Sequence, residues 1–312
     1  MAEEVPTSCV WCGECRSNLL FIRPDLLTLL PGMFRLTRCA GCGLVRLDPR
    51  PTTENLLSYY PEGYSTYEPI IATEPSAVRR VDREYGMRKR LRALERLQPG
   101  GRLLDVGCGT GIFLSEAIRS GKWDAYGVEP SPAAAGYARR HLGERVWQGP
   151  FAQGPFPRAS FDAITMWNVL EHMEDPIAEL RHAHGLLKPH AVLTISVPNL
   201  TSWEARAFGM CWIGWDVPRH LNLFPLALLQ QVLAHEGFSL LDRRCIAGSH
   251  YTVALSLQNL VNTLPTALRG IGLAGLRVFR SLPVRVAMAP WWWVSDQARA
   301  SGIVSLFARK EG

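Results

Sequence analysis

Leu103-Leu104-Asp105-Val106-Gly107-Cys108-Gly109-Thr110-Gly111 is the stretch on which the fold turns. It reads as the end of an apolar strand, a glycine-rich turn and, from Ile112 onward, a helix. Glycines at 107, 109 and 111 let the backbone approach a ligand closely, and a bare glycine pattern would suit a dinucleotide as well as anything else. Asp105 separates the readings. A carboxylate ending the strand serves a pyrophosphate poorly and a cationic ligand well. Eighteen residues past Gly111 a second strand ends in Gly-Val-Glu129, where a carboxylate can accept hydrogen bonds from both hydroxyls of a ribose.

Outward from this loop, short apolar runs (RLLDV, DAYGVE, FDAITMW and AVLTISV) alternate with helix-like segments between Gly101 and about Pro198. That alternation predicts βαβ units and a mostly parallel sheet. Further strands are expected at 239–245 and 303–309, with a helical insertion over about 250–300. The fold class read from these segments is α/β, a doubly wound domain over 99–312. A zinc ribbon over 1–50 precedes it, and a helical connector over 51–98, with helices near 54–60 and 77–97, joins the two.

These motifs together resemble the class I S-adenosylmethionine-dependent methyltransferases over about residues 80–246. DVGCGTG matches their first motif and GVEP their second acidic position. FDAITMWNVLEHMEDP matches the fourth-strand segment of the ubiquinone-biosynthesis-like members, and LLKPHAVLTISVPN the fifth, with His190-Ala191 in place of the usual Gly-Gly. The resemblance implies a Rossmann-like, seven-stranded form of the α/β domain, with the last strand antiparallel. It also implies that Asp105, Gly107, Cys108 (through its backbone), Gly109 and Gly111 hold the methionine and ribose portions of S-adenosylmethionine, and that Glu129 takes the ribose hydroxyls. Where the family usually has an acid against the adenine amino group, this chain has Gln148-Gly149-Pro150-Phe151-Ala152. Adenine then falls to backbone groups and to Phe151, and Asn168 is counted with the cofactor residues. Some relatives hold a divalent ion with a Glu-His pair and an acid three residues earlier; here that position is Asn168, so no metal is expected beside Glu171 and His172.

Five of the eight cysteines fall within the first 42 residues. Cys9-Val-Trp-Cys12-Gly and Cys39-Ala-Gly-Cys42-Gly are two knuckles separated by 26 residues, the pattern of a closed Cys₄ structural zinc site. Two-residue spacing turns both thiolates toward one ion, and the glycine permits the tight turn. A closed site leaves no coordination position for chemistry. Cys15 is a fifth candidate, and Cys108, Cys211 and Cys245 read as small core residues. The acidic start, MAEEVPTS, lacks an apolar core, so a reducing, cytoplasmic setting is expected. The ribbon, LVRLDPRPT, a Tyr-Tyr-Pro segment, WIGWDVPRHLNLFP (212–225) and GIVSLFARK are similar to the front and end segments of bacterial methyltransferases of sugar, polysaccharide and natural-product pathways.

Removing a proton from a hydroxyl or acidic carbon calls for a base near the carboxyl ends of the strands. His172, beside Glu171 just past the fourth strand, and His220, in WDVPRHLNLF, are the catalytic candidates. Glu171 and His172 alternatively cap or orient the next helix. Asp216, Arg219 and His220 share one loop, a run costly to explain as packing alone. His220 is a base or acceptor contact or, alternatively, a histidine that fixes the loop by hydrogen bonds, and Trp212 and Trp215 beside them form an apolar wall or a lid.

With 47% hydrophobic and 20% charged residues, the chain is neither disordered nor fibrous. The formal charge of +6 comes from 34 basic residues of which only Lys89, Lys122, Lys188 and Lys310 are lysines, an arginine habit more than a partner signature. The cluster Arg88-Lys89-Arg90-Leu91-Arg92 reads as a solvated helix face. The expected partner is a small-molecule acceptor, with nucleic acid disfavoured. A zinc-ribbon RNA methyltransferase is the alternative, weakened because Trp167-Asn168-Val169-Leu170 stands where base-amine enzymes carry Asn/Asp-Pro-Pro-aromatic. An inactive scaffold is weakened by the intact Asp105, Glu129 and glycines. Residues 262–294 are apolar, punctuated by arginines and broken by Pro265, Pro283 and Pro290. They suit a peripheral membrane contact or a helical insertion packed on the domain or on another subunit, not a span, and the oligomeric state stays open.

Overall fold

The protein, taken as a computed structural model, is described for residues 8–52, 55, 56, 58–60, 74, 77–246 and 248–312. Most of 61–76 in the expected connector, and part of its helix near 54–60, lie outside the described residues. The connector's second helix is α1 (Ala77–Glu95).

The glycine loop opens between β4 (Gly101–Val106) and α2 (Ile112–Arg119). Next come β5 (Trp123–Glu129), α3 (Pro132–Leu142), β6 (Val146–Gln148), β7 (Phe161–Trp167), α4 (Pro176–Leu186) and β8 (Leu187–Pro198). After β8 the chain runs through α5 (Trp203–Phe208) and α6 (Leu226–His235) to β10 (Phe238–Arg244), and β11 (Ile303–Lys310) closes the sheet. The strand order is β10-β11-β8-β7-β4-β5-β6, with β11 antiparallel to both of its neighbours, as expected. Parallel strands covered on both faces must be apolar on both. Leu103, Leu104, Ile164, Met166, Val192 and Leu193 are accordingly buried in the middle of the sheet. Truncating one of them, Leu104→Ala, would cost about 2–5 kcal/mol.

The cysteine-rich segment forms a second sheet: β1 (Ser17–Pro24), β2 (Met33–Cys39) and β3 (Val45–Leu47). Its fourth strand, β9 (Asn222–Leu223), comes from the loop after α5, pairing Val45 with Leu223 and Arg46 with Asn222. Cys9, Cys39 and Leu44 share a core with Phe224, Leu228 and Val232 of the large domain. The small sheet is thus stitched into the large one by the loop that carries His220. Between β10 and β11 the chain forms the insertion: α7 (Ser249–Thr263), α8 (Thr266–Phe279) and α9 (Leu282–Gln297).

Candidate active site

Two constellations gather at the carboxyl ends of the parallel strands, where open α/β sheets build their sites. The first is the glycine loop. Asp105 ends β4 opposite Thr165 and Gly127 of the flanking strands. Its carboxylate is buried and accepts a hydrogen bond from Thr165 Oγ1 at 2.6 Å. Burial pushes the carboxyl up to about 7, against the pull of Thr165 and of the Arg90 guanidinium. Glu129 ends β5, with one oxygen accepting from the Gly109 N–H at 2.8 Å and the other from the Ser131 N–H at 2.9 Å. Burial raises its pKa too, and those two N–H groups oppose the rise. Each oxygen keeps a lone pair for a ligand hydroxyl. Gly107 is required by close approach: a Cβ there would lie 2.6 Å from Val169 Cγ2.

Cys108 is buried, its N–H donating to the Val128 carbonyl at 3.0 Å, so its backbone holds the loop to β5. Gly111 opens α2 at φ 84°, and beside Gly109 a Cβ would meet nothing within 4 Å. Phe151 is buried, edge-to-face on His182 at 4.7 Å between ring centres. Asn168 follows β7 in a left-handed conformation (φ 57°), with its Oδ1 buried and without a hydrogen-bond partner among the described residues. An orphaned buried acceptor just past β7, the strand that pairs with the one carrying Asp105, fits a cationic, hydrogen-bond-donating ligand such as S-adenosylmethionine.

Arg90 escaped the sequence reading, which put it on a solvated face. It is half-buried, its guanidinium carbon 5.1 Å from the centre of the Trp167 ring and its charge acting on Asp105. The signal was present: Arg90 lies three residues after Met87 and four before Leu94, both packed into the core.

The second constellation lies just past β7. Glu171 and His172 occupy one turn of 3-10 helix, and the Leu221 N–H donates to the Glu171 carbonyl at 2.8 Å. They do not cap α4; Asp175 does, accepting from the Ala178 N–H at 3.0 Å. His220 reaches the same point from the loop before β9. His220 Nδ1 is 2.8 Å from the Gly214 carbonyl and His172 Nδ1 is 3.0 Å from the Arg219 carbonyl, so each must carry its proton there. In the neutral rings, Nε2 is left as the basic atom. His220 Nε2 lies 4.0 Å from Glu171 Oε1, and the two rings meet edge-to-face at 4.6 Å. Tyr60 Oη approaches His172 Nδ1 at 3.1 Å.

Ligand atoms of Glu171, His172 and His220 all fall within 4.8 Å of one another, a group with metal-binding spacing that the sequence reading discounted for want of an acid at 168. Neither Glu171 oxygen has a hydrogen-bond partner on another described residue. Burial pushes that carboxyl up to about 8 and pulls His172 down to about 3; His220 is also lowered, chiefly by burial. The cluster is therefore uncharged near neutral pH.

Asp216 and Arg219 form a buried ion-pair network that ties the His220 loop to Asp25, just past β1. Arg219 is fully buried, donating to Asp25 at 2.9 Å through both terminal nitrogens, to Asp216 at 2.6 Å and to the Tyr59 carbonyl at 3.0 Å. Burial pushes Asp216 up, and Arg219 more than offsets it, holding the carboxyl at about 2. Trp212 is no lid: it is fully buried in a small core with Ile213 and Leu255, edge-to-face with Trp215 at 5.3 Å.

At the other end of the small sheet, the sulfurs of Cys9, Cys12, Cys39 and Cys42 lie within 4.8 Å of one another. Cys9–Cys42 and Cys12–Cys39 are 3.6 and 3.4 Å apart, close to the roughly 3.8 Å edge of a tetrahedron with ~2.3 Å metal–sulfur bonds. The two knuckles repeat one geometry: Gly13 (φ 72°) donates to the Cys9 carbonyl and Gly43 (φ 78°) to that of Cys39. Cys15 is exposed and outside the group.

A family model described as a methyltransferase domain matches residues 78–242, more than half of the chain. The chain belongs to this methyltransferase family, of the class I S-adenosylmethionine-dependent kind. It is similar to the ubiquinone biosynthesis O-methyltransferase of Xanthomonas campestris pv. campestris (strain B100), 36% identical over 125 residues that cover 37% of this chain and 49% of that one. The enzyme of the same name from Histophilus somni (strain 2336) is 30% identical over 166 residues, 49% of this chain and 69% of its own. The chain thus spans about half the length of the first curated relatives it matches. Among solved structures, a putative sarcosine dimethylglycine methyltransferase from Galdieria sulphuraria aligns with a TM-score of 0.51 at 13% identity, covering 82% of this chain and 98% of that one. The [4+2]-cyclase SpnF aligns at 0.50 and 21%, covering 84% and 98%. At such identities these two likenesses show the methyltransferase fold alone.

Proposed function

We propose that this methyltransferase moves a methyl group from S-adenosylmethionine to an oxygen or carbon nucleophile of a small molecule, a sugar, lipid-linked or natural-product intermediate. The observation that carries the reading is His220 Nε2, 4.0 Å from Glu171 Oε1, in a group of Glu171, His172 and His220 gathered within 4.8 Å just past β7, the strand beside β4. Asp105, Asn168, Arg90 and the 107–111 loop would hold the amino-acid portion of the cofactor, Glu129 the ribose, and Phe151 the adenine side. The cofactor itself supplies an activated methyl and a neutral leaving thioether.

His220 Nε2 takes the proton of the acceptor, because its other nitrogen is committed to the Gly214 carbonyl. The nearby Asp216 carboxylate, whose field favours protonated His220, stabilises the imidazolium that results. His172, fixed by Arg219 and Tyr60, orients the acceptor. Four thiolates with tetrahedral spacing support a structural zinc ion at Cys9, Cys12, Cys39 and Cys42, and unpaired thiols suit the cytoplasm.

Incubation with methyl-labelled cofactor and cell extract, followed by mass identification of the labelled species, tests the reading. A labelled small molecule is expected. Label confined to RNA would replace this acceptor class, and failure to bind the cofactor by calorimetry would refute the activity. Metal analysis is expected to find one zinc per chain, lost in Cys39→Ser.

A further inference from the structure

We propose that α8 and α9 form a docking surface for an anionic lipid bilayer. In α8 only Leu276 is buried, and in α9 only Ser295. Ile271 is 73% exposed, Val286 and Trp293 64% each and Val278 62%, a concentration of bare apolar area that water-facing helices do not ordinarily carry. From 243 to 295 the sequence has no Asp or Glu, while Arg269, Arg277, Arg280 and Arg285 lie along the two helices.

The pair of helices is held in place at its base. Trp292, the middle of three consecutive tryptophans, turns inward and stacks on Trp203 at 6.4 Å. Trp203 Nε1 donates to Ser295 Oγ at 2.8 Å, and His250 stacks on Phe279 at 4.8 Å. Lys89 of α1 pairs with Asp296 at 2.7 Å, and Arg285 pairs with Asp82 of the same helix. These pairs tie the hairpin to α1, the helix that also carries Arg90.

Charge selects the occupant. A second copy meeting this face across a two-fold axis would bring two arginine-bearing faces together, with the acids beside them, Asp82 and Asp296, already paired with Arg285 and Lys89. A nucleic acid would answer the arginines and leave the aliphatic and indole surface unmatched. A bilayer with acidic headgroups answers both, with apolar side chains entering the acyl boundary and guanidinium groups remaining at the phosphates. Among the described residues no helix is long and apolar enough to cross a membrane, so the hairpin lies on the surface.

Flotation of the full chain with phosphatidylcholine vesicles, with and without phosphatidylglycerol, tests this. The protein is expected to float with the anionic vesicles, far less with the neutral ones, and less again at high salt. The double variant Ile271→Glu/Trp293→Glu should lower binding at least ~10-fold and Arg277→Gln about fivefold. Calorimetric affinity for S-adenosylmethionine should stay unchanged in all of them, which separates this outcome from misfolding and from failure of the methyl-transfer reading. Wild-type protein left behind by anionic vesicles would overturn the proposal, as would flotation that survives the double variant. So would a lipid-free dimer, seen by sedimentation, that the double variant dissociates; the face would then belong to a second copy.

Discussion

The two constellations at the sheet edge differ in how their buried carboxylates are satisfied. Glu129 accepts two backbone N–H bonds and Asp105 the Thr165 hydroxyl, donors supplied by the loop and strands that define the fold. Glu171, equally buried, has no such donor on another described residue and faces His220 Nε2 at 4.0 Å. The cofactor end is thus formed before anything binds. The Glu171 end keeps its proton near neutral pH but lacks a hydrogen-bond partner among the described residues, which is the condition of a site that works by exchanging a proton or taking a ligand.

His220→Ala strikes this contrast hardest. If His220 is the base, turnover falls ~10²–10⁴-fold while calorimetric cofactor affinity stays within a few-fold, because the glycine loop does not depend on it. Unchanged turnover would leave the acceptor end without its assigned chemistry.

Glu171→Gln probes the unmet carboxyl through stability. Its folded pKa, about 8, lies above the ordinary carboxylate value. The protein therefore loses stability from this group as pH rises from the unfolded pKa through about 8, and is spared the loss below. The glutamine variant should be more stable than the parent in mildly alkaline buffer, on the order of 2 kcal/mol, and nearly equal to it at about pH 4. Thermal unfolding across that range checks it; parallel curves would mean that Glu171 already has a partner.

The smallest effect is expected at the preformed end. Asp105 titrates near 7 when no cation is present, and a sulfonium or ammonium ligand prefers its ionised form. Cofactor affinity should tighten about tenfold from about pH 6 to about pH 8, and the dependence should vanish in Asp105→Asn. A flat profile in the parent would place the cationic groups elsewhere.

The same contrast explains what could be read before the structure. Asp105, the 107–111 glycines and Glu129 belong to one βαβ unit, so strand period, turn residues and spacing locate them within about 25 residues of chain. The two Cys-x-x-Cys knuckles were legible for the same reason, whereas the antiparallel direction of the closing strand followed from the family resemblance. Arg90 was missed because charge was weighed above its place between Met87 and Leu94. What Arg219 binds was not legible, because its partner Asp25 lies 194 residues before it. No local pattern announces that a loop arginine will be consumed by so distant an acid.

By itself, then, the sequence determined the parallel sheet, the cofactor loop and the thiolate cluster, since each is built from neighbours whose geometry follows from backbone period and turn chemistry. Only the tertiary structure decided that Asn222 and Leu223 add a strand to the cysteine-bearing sheet and that His220 arrives at Glu171 and His172. It also decided that α8 and α9 keep their apolar surface bare. Those outcomes depend on which distant segments bury one another's polar groups, and burial is a property of the folded whole.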